Sequence, residues 1–313
     1  MEYDNTSQAP PEAGARLTAA QIFAVAYATG EDELKRSAAG LTLSGIAAGL
    51  GMGLTGLGAA TILAAIGPDA PGAGILTALL YPVGFIVVVM GRAQLFTENT
   101  LFPVVVVLAT KRHLLYTLRL WGIVFAANVV GALLFALLVM KTPALSSELR
   151  EALSTLGEHT IGTGDFAQIF FSGIIGGWII ALMAWLVSAA RSSMGQILIV
   201  YITTFVVGAA GLAHCIAGSG EALSAVLDGR VSVGEYGMWL AAAALGNIVG
   251  GVLIVSLLNY GQVMGSGRDI ERAAQTLDEV VQDAADRREN GSDSSDSSET
   301  DENDRDDEGS DRT

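Results

Sequence analysis

The sequence predicts an all-α membrane protein of six transmembrane helices, built as two inverted three-helix repeats with spans two and five broken. Three observations lead to that reading. The long middle of the chain is apolar and almost free of net charge. It divides into six apolar stretches, of which the second and fifth are overlong and interrupted. Short motifs recur between the halves in the same order as those interruptions.

The chain has 313 residues, 51% of them hydrophobic, and a formal net charge of −15 that is unevenly distributed. From Arg268 to Thr313 there are 17 Asp/Glu against 6 Arg, and residues 1–37 hold 6 acids against 3 bases. The 230 residues between are left with a net −1. A long, apolar, nearly neutral segment is suited to a bilayer and not to water. The single cysteine, Cys215, excludes an internal disulfide. The first 16 residues are polar, so no cleavable signal peptide is expected and the first span would direct insertion. No cofactor, metal or nucleic-acid partner is expected.

The apolar stretches run over about 40–66, 74–109, 117–140, 167–190, 195–227 and 237–260. A span needs ~20 residues to cross a ~30 Å hydrocarbon core. The first, third, fourth and sixth fit a single helix. The second contains Gly91-Arg92-Ala93-Gln94-Leu95-Phe96-Thr97-Glu98-Asn99-Thr100, and the fifth contains residues 208–218, from Gly208 through His214 to Gly218. Broken backbone at membrane depth is tolerated only where protein or a water-filled cavity satisfies the freed groups. Paired breaks in two halves point to a site for a small solute.

The halves match elsewhere too. Ser44-Gly45-Ile46-Ala47-Ala48-Gly49 in span one recurs as Ser172-Gly173-Ile174-Ile175-Gly176-Gly177 in span four, shifted by one glycine. Asn128-Val129-Val130-Gly131-Ala132-Leu133-Leu134 in span three recurs as Asn247-Ile248-Val249-Gly250-Gly251-Val252-Leu253 in span six. Three spans per half is odd, so the second half is inverted.

Basic residues set the orientation. Lys35 and Arg36, Lys111, Arg112 and Arg119, Arg191, and Arg268 and Arg272 mark one side; Lys141, Arg150 and Arg230 on the other have acids beside them. Both termini are expected in the cytoplasm, with the chain in the cell membrane. Residues 1–37 read as a cytoplasmic segment, 38–262 as the pore domain and 263–313 as an acidic cytoplasmic tail, disordered from about 289. Residues 17–29 read as a helix along the inner surface, extended by Glu31/Lys35 and Asp32/Arg36 pairs, and residues 145–160 as a short external helix.

His214 is the lone histidine at membrane depth, since His113 and His159 fall in connections. An ionisable residue there is costly and marks a functional site by default, although a neutral imidazole could also satisfy loose carbonyls at the break. Asn128 and Asn247 read as hydrogen-bonding glue between helices.

Residues 91–100, together with Gly211-Leu212-Ala213-His214-Cys215-Ile216-Ala217, Gly246-Asn247-Ile248-Val249-Gly250-Gly251 and Gly30-Glu31-Asp32-Glu33-Leu34-Lys35-Arg36-Ser37, resemble the formate/nitrite transporter family over roughly 17–262. The Thr97-Glu98-Asn99-Thr100 variant points to a less-studied branch. The resemblance implies an aquaporin-like fold, a homo-pentamer with one pore per subunit, and passage of small monovalent anions such as formate or nitrite. It places His214 at the centre as a proton donor to the anion, with Thr97 hydrogen-bonded beside it. Tyr81, Phe85, Leu95, Phe96 and Val207 fall at its pore constrictions, with Val207 replacing a phenylalanine. Thr97 is also placed to cap the following half-helix. Glu98, supporting the loop with Asn99, fits a first-turn acid pairing with Arg92.

Two departures stand out. The lysine the family often carries before span four is absent from residues 159–165, where Asp165 appears. The polar residue expected on span four beside the histidine is Gly177. Asp165, Glu158 and Asp228 would repel anions unless salt screened them. The acidic tail and scarcity of lysine point to a halophilic source.

Ser219 near His214 offers a nucleophile and base for an intramembrane serine protease, but that leaves the repeat and the Thr97 loop without purpose. A membrane structural or sensor protein on the same fold is a further alternative. A water or glycerol channel lacks its Asn-Pro-Ala pair.

Overall fold

The computed structural model describes residues 16–162 and 164–265. Expectations for residues 1–15, for Thr163 and for the tail beyond 265 lie outside the described residues. Among the described residues every regular element is a helix, with no strand.

Helix α1 (Ala19–Lys35) opens on a capping box, Thr18 with Gln21. Its buried Phe23, Ala24 and Ala26 pack into a core with Leu101, Val105, Ala184 and Val255. The Glu31–Lys35 pair forms at 3.7 Å. The expected Asp32–Arg36 pair does not, because the helix ends at Lys35 and Arg36 turns to an extended conformation (φ −63°, ψ 143°). That removes the i,i+4 geometry such a pair needs.

Ser37 caps α2 (Ala38–Ile66), whose 29 residues span ~43 Å. After a short loop come α3 (Ala73–Ala78) and α4 (Pro82–Met90), then a non-helical stretch, a 3-10 turn (Glu98–Thr100) and α5 (Phe102–Thr110). Helix α6 (Leu114–Lys141) is continuous, and the amphipathic α7 (Ser147–Gly162) follows it. Asp165 caps α8 (Phe166–Ala189). Helix α9 (Ser193–Ala209) stops at a second non-helical stretch before α10 (Ala217–Leu227). Helix α11 (Val233–Val249) passes through a π segment (Gly250–Ser256) into α12 (Leu257–Gly265).

Five of the described helical runs are long and apolar enough to cross a membrane: 38–66, 73–90, 114–141, 166–189 and 233–263. At 17 residues, or ~26 Å, α9 falls short of a full crossing. Two close helix crossings hold the bundle. Helix α2 lies on α6 so tightly that a Cβ on Gly49 would stand 2.0 Å from the Asn128 carbonyl oxygen. Helix α8 lies on α11 in the same way, with a Cβ on Gly177 only 2.3 Å from the Asn247 carbonyl oxygen. Only glycine permits this backbone approach. Large apolar side chains stay exposed along the outside, among them Leu115, Leu138, Phe171 and Leu198. Such a belt suits lipid or neighbouring subunits.

Candidate functional site

The two breaks free backbone groups inside the bundle, and side chains of neighbouring helices take up several of them. Gln94 N–H donates to Ser44 Oγ at 3.1 Å. Asn128 Nδ2 donates to the carbonyls of Gly45 and Gln94, at 2.8 and 2.9 Å. Its Oδ1 accepts from Phe96 N–H at 2.9 Å. The second break repeats this residue for residue. Ala213 N–H donates to Ser172 Oγ at 3.0 Å. Asn247 Nδ2 donates to the carbonyls of Gly173 and Ala213, at 2.8 and 2.9 Å, and its Oδ1 accepts from Cys215 N–H at 3.0 Å. Orphaned backbone groups are expensive in a dry interior. The asparagines therefore clamp the breaks as well as tie helices together.

His214 and Thr97 meet where the breaks face each other. Thr97 Oγ1 lies 2.8 Å from His214 Nε2, and both residues are 1% exposed. On the other side of the ring, Nδ1 accepts from Ala217 N–H at 3.0 Å. An acceptor Nδ1 carries no proton, so the network assigns the neutral imidazole proton to Nε2, which donates to Thr97 Oγ1. The threonine hydroxyl proton is then free for another acceptor. Thr97 makes no side-chain cap to the turn that follows it; its hydroxyl is committed to the histidine instead.

Phe85 stands edge-on to the His214 ring, centroids 5.1 Å apart, and Tyr81 lies against Phe85 at 5.7 Å. Leu95 is buried in the same core. Phe96 packs edge-on against Phe125 at 4.9 Å and Trp121 at 6.0 Å. Asn99 fastens the loop from within: its Nδ2 donates to Gln94 Oε1 at 3.0 Å, and its carbonyl accepts from Trp121 Nε1 at 2.8 Å.

Two cavities approach this layer from opposite ends of α4. One, of about 680 Å³, is bordered by Tyr81, Val207, His159, Glu221 and His214. The other, of about 640 Å³, is bordered by Glu33, Arg36, Val89, Arg92, Gln94 and Glu98. Glu98 and Arg92 both border it but make no direct ion pair among the described residues, contrary to the expected pairing; Arg92 sits in a left-handed turn (φ 54°). Glu33 reaches over from α1 to accept from Gln94 Nε2 at 3.2 Å. Burial pushes the Glu33 carboxyl up to about 7, against the pull of Gln94 and Arg36.

Gly177 does not stand beside the histidine. It lies at the α8–α11 crossing against Asn247, where a side chain of any kind would strike backbone. Ser219 is also occupied. Its Oγ donates to the Cys215 carbonyl at 2.6 Å and lies 3.0 Å from Tyr236 Oη. With both His214 nitrogens engaged elsewhere, no nucleophile–base pair forms.

Ser44, Ser172, Gln94, Glu33 and Glu221 carry parts of this site that sequence reasoning did not assign. The two serines open the recurring Ser-Gly motifs, and that recurrence was the available signal. The π segment was also unforeseen. Its Ser256 Oγ donates to the Thr100 carbonyl at 3.1 Å, which seats the 3-10 turn.

The profile of the family described as "Formate/nitrite transporter" matches residues 20–261. The inner membrane protein YfdC of Escherichia coli is 34% identical over 237 residues, covering 75% of each chain. Among solved structures, an "FNT family ion channel" superposes with a TM-score of 0.64 at 19% identity, covering 77% of this chain and 95% of its own. A "pentameric formate channel with formate bound" gives 0.62 at 20%, covering 74% and 99%. These two show a shared fold.

Proposed function

Because the chain belongs to the formate/nitrite transporter family, we propose that it carries small monovalent anions of the formate or nitrite kind through a pore within each subunit. The observation that carries this reading is the Thr97–His214 pair, set in a dry layer between two cavities. The pore would run from Tyr81 and Val207, past Phe85, His214, Thr97 and Leu95, to the cavity bordered by Glu98. Phe96, Asn99, Asn128 and Asn247 hold its walls.

A bare anion in such a layer loses its hydration, at a cost of order tens of kcal/mol in the dry limit; a neutral acid does not. The geometry supports a chain from His214 Nε2–H through Thr97 Oγ1–H to the anion. Full donation would leave an imidazolate, so the proton is shared while the anion passes or arrives already on the solute. An imidazolium would require Ala217 N–H to give way at Nδ1.

The matching clamps at Asn128 and Asn247 support the inverted repeat of two three-span halves. Arg36 and Arg92 at one cavity support cytoplasmic termini. The exposed apolar belt, with the pentameric neighbour, supports a pentamer of this pore domain. The acid surplus from Arg268 onward supports a high-salt setting, where charge repulsion fades over ~3 Å at 1 M.

The test is uptake of formate, acetate, nitrite and hydrosulfide into proteoliposomes at several pH values. Saturable or pH-dependent uptake of at least one is expected. Uptake no faster than in empty vesicles for all four would overturn the reading.

A further inference from the structure

Glu221 borders the larger cavity, and nothing in the pathway above uses it. It sits on α10 with 6% of its surface exposed. Its Oε2 accepts from Thr160 Oγ1 of α7 at 3.0 Å. Its Oε1 has no hydrogen-bond partner among the described residues. The side chain packs on Gly56 of α2, where a Cβ would be 2.6 Å from Glu221 Cγ and 3.3 Å from Oε1, which fixes the carboxyl in place. Glu221 and its partner Thr160 both border the cavity that His214 also lines.

No cation answers this carboxyl. Among the described residues that border the cavity there is no lysine or arginine. The elements packed around α10 are α2, α6, α7 and α11. Helix α2 carries no charged residue. On α6, Lys141 Nζ donates to the Leu227 carbonyl. On α7, Glu151 and Glu158 are engaged by Arg230, which also holds Asp228. Arg150 makes no ion pair with Glu221, and His159 borders the same cavity. On α11, Tyr236 is engaged with Ser219, and Glu235 with Ser232. Tyr81 of the α3–α4 run faces Glu221 across the cavity and adds no positive charge.

Resting on the transport reading above, we propose that Glu221 is a second recognition site, selecting small weak monobasic acids in partnership with one proton. Two like charges do not share a buried wall. A carboxylate and a solute anion can meet there only with a proton between them. A neutral acid brings it as an O–H that donates to Oε1. Alternatively, a protonated Glu221 gives it: its O–H bond breaks, the solute oxygen gains the proton, and the carboxylate left behind is reprotonated from cavity water. Either route sends the neutral acid on toward His214. An anion that does not take up a proton, such as chloride, is refused. A carboxyl thereby does, by sharing a proton, what an anion-attracting lysine would do by charge.

The experiment compares wild type and Glu221→Gln for formate and chloride flux in proteoliposomes between pH 5 and 8. The amide is nearly isosteric and still accepts from Thr160. Formate flux should fall about tenfold, the size of one charge-assisted hydrogen bond, its pH profile should flatten, and formate-over-chloride preference should shrink. Infrared difference spectra with ¹³C-formate, whose own bands are displaced, should show a protein carboxyl band perturbed in wild type and absent from the variant. An unchanged pH profile and preference would overturn the assignment of Glu221 while leaving transport intact. Failure of wild type to carry any weak acid would overturn the transport reading and this inference together. Should Glu221→Gln not assemble, the wild-type spectrum decides: no carboxyl band responding to formate rejects the proposal.

Discussion

Asn128 and Asn247 hold the two helix breaks with the same three hydrogen bonds, each to a carbonyl of a small-residue helix and to two backbone groups of its own break. Replacing either by alanine orphans three buried backbone groups. Isolated hydrogen bonds between membrane helices average only ~0.6 kcal/mol, but the broken backbone here has no second partner, which moves the cost toward ~3 kcal/mol or more. Asn128→Ala and Asn247→Ala should lower the melting temperature in detergent by similar amounts. A large loss from one and none from the other would refute the equivalence of the two clamps.

At the centre of the proposed pore, His214→Phe removes the Nε2–H and the Nδ1 acceptor together, while Thr97→Val removes only the hydroxyl. Thr97→Val should keep the fold and cut anion flux about tenfold or more. His214→Phe should change the pH dependence and the order of preference among formate, acetate and nitrite. Equal flux of every anion by wild type and His214→Phe, from pH 5 to 8, would leave His214 a purely structural residue.

Glu33 gives the fold a pH dependence of definite sign. Its carboxyl is raised from 4.5 to about 7 in the folded protein, chiefly by burial. Between those values the folded state holds the proton and the unfolded state has lost it, so stability falls as pH rises. The loss reaches roughly 3 kcal/mol once pH passes 7. Limited proteolysis of α1 should therefore accelerate from pH 5 to 8 in wild type and stay level in Glu33→Gln. A parallel acceleration in both proteins would clear Glu33 of the effect.

Gly177 and Gly237 make an internal comparison on one helix pair. A Cβ at Gly177 meets Asn247 backbone at 2.3 and 2.4 Å, whereas one at Gly237 meets nothing within 4 Å. Gly177→Ala should lose assembled protein, with a cost of about 3 kcal/mol or more from separating two backbones. Gly237→Ala should be neutral or gain up to ~1 kcal/mol from helix propensity. Yields on size-exclusion chromatography decide between them; equal yields would contradict the tight crossing.

Much of this architecture was legible because the bilayer imposes a simple length rule. Stretches of ~20 apolar residues became helices, and the two overlong stretches broke where polar or glycine-rich residues stood. Phe85 and Thr97 touch His214, Tyr81 and Val207 border the cavity it lines, Leu95 belongs to the buried cluster, and Phe96 packs on Phe125. What escaped the sequence was non-local. Nothing in the spacing of Ser44 or Ser172 says that a hydroxyl on one helix will satisfy an N–H on another. Gly177 could not be separated from a vacant polar position, because a glycine required by a helix crossing and one facing a pore read identically. Glu221 escaped as well, since a carboxylate in an apolar run carries no mark of which cavity it borders.

The π segment of span six has a mechanical consequence. Helix α6, whose Asn128 makes the same clamp as Asn247, carries no such segment. Each residue of an α-helix advances the azimuth by ~100°, and widening the turns at Gly250–Ser256 resets where α12 faces. That phase brings Tyr260 onto Phe23 of α1, centroids 6.0 Å apart, and places Lys111 over the same ring at 5.2 Å. The N-terminal helix is thus berthed just beyond a widened stretch of span six. Straightening that helix by deleting one residue would rotate the berth away and leave α1 without its aromatic mooring.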